Sequence, residues 1–129
     1  MVSKIVLYLW FKIKVIMKAK FYTFRQNNSG GAYIFSKKDG ISVHVIIEAL
    51  NADDANTIAE GIGLYFDGCI NNMDCSCCGD RWNRTDEYDA YDVPCIYGEP
   101  IANMESTYDA ESCYVHYLDS EFKKIEFEK

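Results

Sequence analysis

From Phe21 onward, apolar and polar residues follow a short period that lengthens once, near residue 50. Phe21-Tyr22-Thr23-Phe24-Arg25 is aromatic and β-prone, which predicts a strand. Gln26-Asn27-Asn28-Ser29-Gly30-Gly31 is a dense turn pattern, because Asn and Gly tolerate left-handed backbone angles. Ala32 to Ser36 resumes the strand pattern, and Lys37-Lys38-Asp39-Gly40 marks a second turn. Ile41 to Glu48 (ISVHVIIE) is rich in β-branched residues and predicts the best strand of the chain. The period then becomes helical. Asn51 is a natural helix cap, with Asp53 and Asp54 in the first turn where the helix dipole favours acids. Ala52, Ala55, Ile58, Ala59 and Ile62 recur at the spacing that would face a sheet, and Gly61 and Gly63 suit the helix end. Residues 64–100 are irregular, with Gly, Asp and Cys among aromatics; a loop that long is usually functional, metal-bound or poorly ordered. Cys113 to Leu118 and Phe122 to Phe127 read as a closing hairpin. The pattern predicts one α+β domain: a small antiparallel sheet packed by one main helix, a β-β-β-α core, a long Cys-containing loop and a C-terminal β-hairpin.

The first twenty residues stand apart. Ile5 to Phe11 is a continuous apolar run flanked by Lys4, Lys12 and Lys14. Seven residues fall short of the roughly 20 needed to span a bilayer. No small-x-small cleavage site follows, so a signal peptide is a poor fit. Met17-Lys18-Ala19-Lys20-Phe21 resembles a start, which makes residues 1–17 an N-terminal extension and 18–129 the domain. An added strand or helix, or a membrane or export role, are the other readings of that stretch.

The chain of 129 residues carries a net charge of −7, distributed unevenly. Residues 1–48 hold eight Lys/Arg against two Asp/Glu (+6), and residues 49–129 hold five against eighteen (−13). A broadly acidic surface disfavours DNA and RNA, which are bound by clustered Lys and Arg. A small anion held in one pocket remains compatible.

Three groups of residues carry candidate chemistry. The loop from Gln26 through Asn27, Asn28 and Ser29 to Gly30 and Gly31 concentrates donors and lets backbone approach a ligand; its plain alternative is a self-satisfied turn. Cys75 and Cys78 form a Cys-x-x-Cys pair that suits zinc, with Cys69, Cys77, Cys95, Cys113 or a His to complete four. The alternative is a tight turn of small packed thiols. Arg81 offers a planar fork for phosphate and Trp82 a face for a base, with Tyr65 and Phe66 adding aromatic surface, although single aromatics are more often core. Nothing matches a nucleophile elbow, a Walker loop or a zinc-protease helix, and His44, in an apolar strand, reads as a satisfied or partly exposed histidine rather than a base. No catalytic residue and no cofactor is predicted.

Phe21 to Gly31, Val45-Ile46-Ile47-Glu48-Ala49, Ala55 to Gly68 and Asp74-Cys75-Ser76-Cys77-Cys78-Gly79-Asp80-Arg81-Trp82 together resemble a family of small tailed-phage proteins. Those proteins share a Gln-Asn-Asn-Ser-Gly-Gly loop and a Cys-x-Cys-Cys-Gly-Asp-Arg-Trp motif, and the resemblance covers about residues 18–101. The chain is similar in kind to phage anti-CBASS and anti-Thoeris sponges, which sequester immune-signal nucleotides without cleaving them. That resemblance implies a homo-oligomer in the cytoplasm of the infected bacterium, with no membrane partner. It would hold a cyclic dinucleotide such as cyclic GMP-AMP. Gln26, Asn27, Asn28, Ser29 and Gly30 would meet base edges or phosphate, Arg81 the phosphate, and Trp82 or Tyr65 would stack. Two other readings stand beside it: an acidic host-takeover protein that binds a host protein, and a zinc-stabilised structural domain.

Overall fold

The computed structural model describes residues 3–106 and 111–128, apart from the side chains of 14–17. The architecture is α+β. Helix α1 (Lys4–Lys18) precedes strand β1 (Lys20–Arg25), and strand β2 (His44–Ala49) leads into helix α2 (Ala52–Ile62). A two-residue ribbon, β3 (Cys95–Ile96) and β4 (Glu99–Pro100), comes next, followed by β5 (Ser112–His116) and β6 (Phe122–Glu126).

The main sheet runs β1-β2-β5-β6. β1 and β2 pair antiparallel, as do β5 and β6, whereas β2 and β5 are parallel. The sheet is therefore mixed rather than antiparallel. A parallel pair needs a long crossover, and α2 with the irregular segment supplies it. The terminal hairpin forms as its sequence pattern predicts.

The strand expected at Ala32 to Ser36 is the clearest departure. Only Ser36 bridges, to Ile41 across the Lys37–Gly40 turn, and Ile34 and Phe35 are exposed. Two consecutive left-handed glycines, Gly30 (φ 76) and Gly31 (φ 85), turn the chain away from the sheet before it can pair. The sheet thus takes its third strand from β5, some sixty residues later.

α2 forms where its cap predicts. Asn51 Oδ1 accepts from the Asp54 amide at 2.8 Å, and the Gly63 amide (φ 130) donates back to the Ala59 and Glu60 carbonyls. Ala52, Ala55 and Ala59 are buried against Tyr22, Phe24, Val45, Ile47 and Trp82, while Ile58 lies on the flank, more than a third exposed. Alanine on the buried stripe lets the helix approach the sheet closely. The opposite face buries Ile46, Cys113 and Val115 against Ile96 and Phe127. Central strand β2 is covered on both faces, which explains its continuous apolar character.

Within the N-terminal stretch the chain is helical from Lys4, the helix among the readings of that segment, with Ile5, Leu7, Leu9, Trp10 and Phe11 exposed, while Met1 and Val2 lie outside the described residues. Among the described residues no helix is long and apolar enough to cross a membrane.

Candidate functional site

The two sequence motifs meet in space. Arg81 lies inside, and its guanidinium makes four hydrogen bonds: Nε to Tyr65 Oη (3.0 Å), Nη1 to Gln26 Oε1 (2.9 Å) and the Ala32 carbonyl (2.7 Å), and Nη2 to the Ser29 carbonyl (2.6 Å). Four of the five donors of an arginine are thereby engaged. Gln26, fully buried, also donates from Nε2 to the Ile34 and Ser42 carbonyls and accepts from the Ile34 amide. Asn27 Nδ2 donates to the Cys78 carbonyl at 2.7 Å, and Ser29 Oγ accepts from the Cys75 amide at 2.9 Å. Asp74 receives the Tyr65 hydroxyl (2.5 Å) and the Arg81 amide (2.8 Å), and burial together with the Asp74 carboxylate raises the Tyr65 pKa. Gly68 makes room for this carboxylate, since a Cβ there would lie 1.8 Å from Asp74 Oδ2.

These contacts change the roles expected for the motifs. Gln26, Ser29 and Arg81, all buried, come together with half-buried Asn27 and Tyr65 as a brace, and the donors Arg81 would offer a phosphate are bonded within the chain. Trp82 sits in the hydrophobic core at 2% exposure, in one cluster with Phe24 and Phe66, so its ring is closed to a stacking base. Of the predicted ligand residues Asn28 and Gly30 are exposed, and Asn27 and Tyr65 are half-buried. Together these side chains build a scaffold.

That scaffold holds the thiols outward. All six cysteines are free. Cys75, Cys77 and Cys78 cluster on one turn, with their sulfurs within 4.8 Å of one another. Hydrogen bonds from Cys77 and Cys78 draw the Cys75 thiol down to about 7, and the same pairing pushes Cys77 up to about 11. The predicted pair Cys75 and Cys78 therefore gains Cys77. Cys95 and Cys113 are buried elsewhere.

A cavity of about 260 Å³ lies on the other side of β1 and β2. Its floor is Thr23 and Arg25 from β1 and His44 from β2, and its far wall is the β3–β4 turn with Tyr97 and Gly98. Antiparallel register places Arg25 directly opposite His44. Tyr97 (φ 53) and Gly98 (φ 77) are both left-handed, the signature of a two-residue type I′ turn, and a tyrosine held there is aimed by backbone that few residues would accept. The Arg25 guanidinium sits 5.8 Å from the Tyr97 ring centroid, and the His44 ring lies edge-on to it at 6.1 Å. Asp89 and Tyr91 complete the rim.

His44 is the unusual member. It is 5% exposed, yet neither ring nitrogen has a hydrogen-bond partner among the described residues. Burial first, and then the charge of Arg25, lowers its pKa to about 4, so the imidazole is neutral at pH 7 and carries one donor and one acceptor. The other histidine differs: His116 Nε2 bonds the Gly40 carbonyl at 2.8 Å. The expectation that His44 would be satisfied or partly exposed is thus overturned, because the ribbon covers it without bonding it. Arg25 and Tyr97 were missed from sequence. A larger depression of about 600 Å³ beside Tyr117 and Phe122 carries Glu48, Asp119 and Glu121 against Lys123, a poor setting for an anion.

No curated protein and no solved structure matches the chain. A family model described as a domain of unknown function, DUF7296, matches residues 19–129, which takes in β1, both loops of the brace, the thiol turn and the cavity, and leaves out α1. On that match, which spans every element of both candidate sites, the chain belongs to the DUF7296 family.

Proposed function

We propose that this protein binds a small phosphate-bearing nucleotide in the His44 cavity and holds it unchanged, the sequestering role that its likeness to phage sponges implies. One observation carries the reading: a buried imidazole with two unpartnered nitrogens faces the same cavity as an arginine. A buried polar group without a partner costs about 1–3 kcal/mol, and a ligand oxygen or amine that bonds it recovers that cost on binding. Unlike Arg81, Arg25 stands at the surface, where its fork can meet a phosphate. Tyr97 presents an exposed ring for a base, and Asp89 can accept from a ribose hydroxyl or a base amine.

Retention rather than cleavage suits the same residues. A histidine with its pKa near 4 is a weak general base at neutral pH. The Thr23 hydroxyl already donates to the Cys95 carbonyl at 2.5 Å. The volume is also informative: about 260 Å³ is below the roughly 300–1,000 Å³ of pockets that enclose drug-sized ligands. It suits one nucleotide unit. A cyclic dinucleotide would place its second half under another copy of the chain, which is how a homo-oligomer in the host cytoplasm would complete the site.

The test is thermal melting of the purified protein against cyclic di- and trinucleotides, cyclic ADP-ribose isomers and inorganic phosphate. Bound material is then released by heat and checked by chromatography. A ligand that binds only the folded state raises the melting temperature. A shift with one nucleotide, lost in Arg25→Ala and with the ligand recovered intact, supports sequestration. Recovery of a cleaved product would make the protein an enzyme, and no shift across the panel would overturn the proposal.

A further inference from the structure

The thiol turn is independent of the cavity and has a geometry of its own. Cys75 and Cys77 sulfurs lie 2.8 Å apart, Cys77 and Cys78 sulfurs 3.7 Å apart, and all three fall within 4.8 Å of one another. Thiolates bound to one ion at about 2.3 Å lie roughly 3.8 Å apart in tetrahedral directions and roughly 4.0 Å apart in a trigonal plane. The Cys77–Cys78 spacing is close to those values, and the Cys75–Cys77 pair is shorter by about 1 Å. Cys77 and Cys78 are exposed and Cys75 is half-buried, so side-chain rotation alone can open the short pair.

The backbone beneath them is fixed. The Cys75 carbonyl accepts from the Cys78 and Gly79 amides, both at 3.1 Å, which curls the turn and brings sulfurs one to three residues apart together. Gly79 (φ 89) lets the chain leave that turn. Its two ends are tied down: Ser29 Oγ holds the Cys75 amide, and Asn27 Nδ2 holds the Cys78 carbonyl. Asp74, one residue earlier, is locked by Tyr65 and the Arg81 amide. A brace of this extent beneath one half-buried and two exposed thiols is the arrangement expected when ligand positions must be held before an ion arrives.

We propose that Cys75, Cys77 and Cys78 form a three-thiolate site for a soft d10 cation, zinc or monovalent copper. Thiolates select such ions over hard ones such as magnesium or calcium. Cys69 is not the fourth ligand: it stands outside the cluster, with its sulfur 3.5 Å from the Cys75 carbonyl. The fourth position faces outward, open to solvent or to a donor on another molecule. Zinc would fill it with water, whereas monovalent copper is satisfied by three sulfurs in a plane. This site makes the brace functional at one remove, through the thiols it presents rather than through a ligand of its own.

The experiment uses the full chain, reduced with a phosphine, freed of metal and kept anaerobic. One arm is titrated with Zn²⁺ and the other with Cu⁺, each read by bound metal per chain and by protection of individual cysteines from alkylation in mass spectrometry. The expected result is one ion per chain, with Cys75, Cys77 and Cys78 protected together and Cys69 unchanged. Cys77→Ser should weaken binding by more than about tenfold, since losing a direct ligand costs at least as much as losing its outer-shell support. Circular dichroism checks that this exposed substitution leaves the fold intact. Cys69→Ser should leave the affinity unchanged. The arm that binds more tightly names the ion. Failure of both ions to bind, or binding that survives Cys77→Ser but is lost in Cys69→Ser, would overturn the proposal.

Discussion

Replacing Arg81 with alanine is expected to destabilise the fold by about 3–5 kcal/mol while leaving the His44 cavity unaltered. The side chain contributes four hydrogen bonds, to Gln26, Ala32, Ser29 and Tyr65. Each such bond to a buried neutral partner nets about 1 kcal/mol, so the four together reach about 4. Arg81 Nε also lies 3.8 Å from Asp74, whose side chain is fully buried, and removing one member of a buried ion pair costs about 3–5 kcal/mol. The two figures overlap rather than add, because the same guanidinium supplies both. Against a typical total of about 5–15 kcal/mol this is a large share. Arg81→Lys keeps the charge but not the fork, so it should fall between alanine and the wild type. Urea unfolding followed by circular dichroism gives the free energy directly. A loss under about 1 kcal/mol in Arg81→Ala would refute the brace. If nucleotide binding vanished in the same variant, Arg81 would be a ligand residue after all.

His44 titrates near 4 in the folded chain against about 6.5 unfolded, so the unfolded state takes up its proton first as pH falls. Its contribution is therefore complete above pH 6.5 and lost down to about pH 4, an upper bound of about 3 kcal/mol; unfolding free energies measured across that window should fall less steeply in His44→Val, with a remainder from His116, whose pKa burial also lowers. An identical slope in wild type and variant would show that His44 is not buried neutral. Asn51→Ala should cost about 1 kcal/mol in urea unfolding through loss of the α2 cap, and no change would mean that the cap is replaced by solvent. Two glycine variants separate sterics from backbone angle. Gly68→Ala, whose Cβ would meet Asp74 Oδ2 at 1.8 Å, should destabilise more than Gly30→Ala, which meets nothing within 4 Å and carries only the left-handed penalty of about 1–2 kcal/mol; reversal of that order in their melting temperatures would contradict the Asp74 placement.

Local chemistry made much of the fold legible. The period change after Glu48, the Asn51 cap and the Gly63 terminus fix α2 to within a residue or two, and the β5–β6 hairpin follows from its alternation. What local reasoning lacked was partner choice. Ala32 to Ser36 has strand composition, yet the two glycines before it redirect the chain, and the central strand finds its parallel neighbour across a crossover that no nearby pattern announces. Propensity describes a residue's preference for extended backbone, whereas sheet membership depends on which edge is within reach.

The candidate sites divide along the same line. The loop at Gln26 and the motif at Arg81 were recognisable as a matched pair because both depend on residue types with rigid hydrogen-bonding demands. The direction of those demands was hidden, since a fork that suits phosphate suits buried carbonyls equally well. His44 was obscured for the opposite reason. Within ISVHVIIE it looks like one more position on a buried strand, and nothing in its neighbours indicates that a ribbon formed fifty residues later would cover it and leave it unbonded. The usable clue was register. If β1 and β2 are taken as an antiparallel pair with Phe21 opposite Glu48, then Arg25 falls opposite His44 on the same face. A surface cation beside a buried imidazole is a pair that an anionic or strongly polar ligand can complete. That inference needs only the pairing of two strands already visible in the sequence, and it leads to the cavity before the loop motifs do.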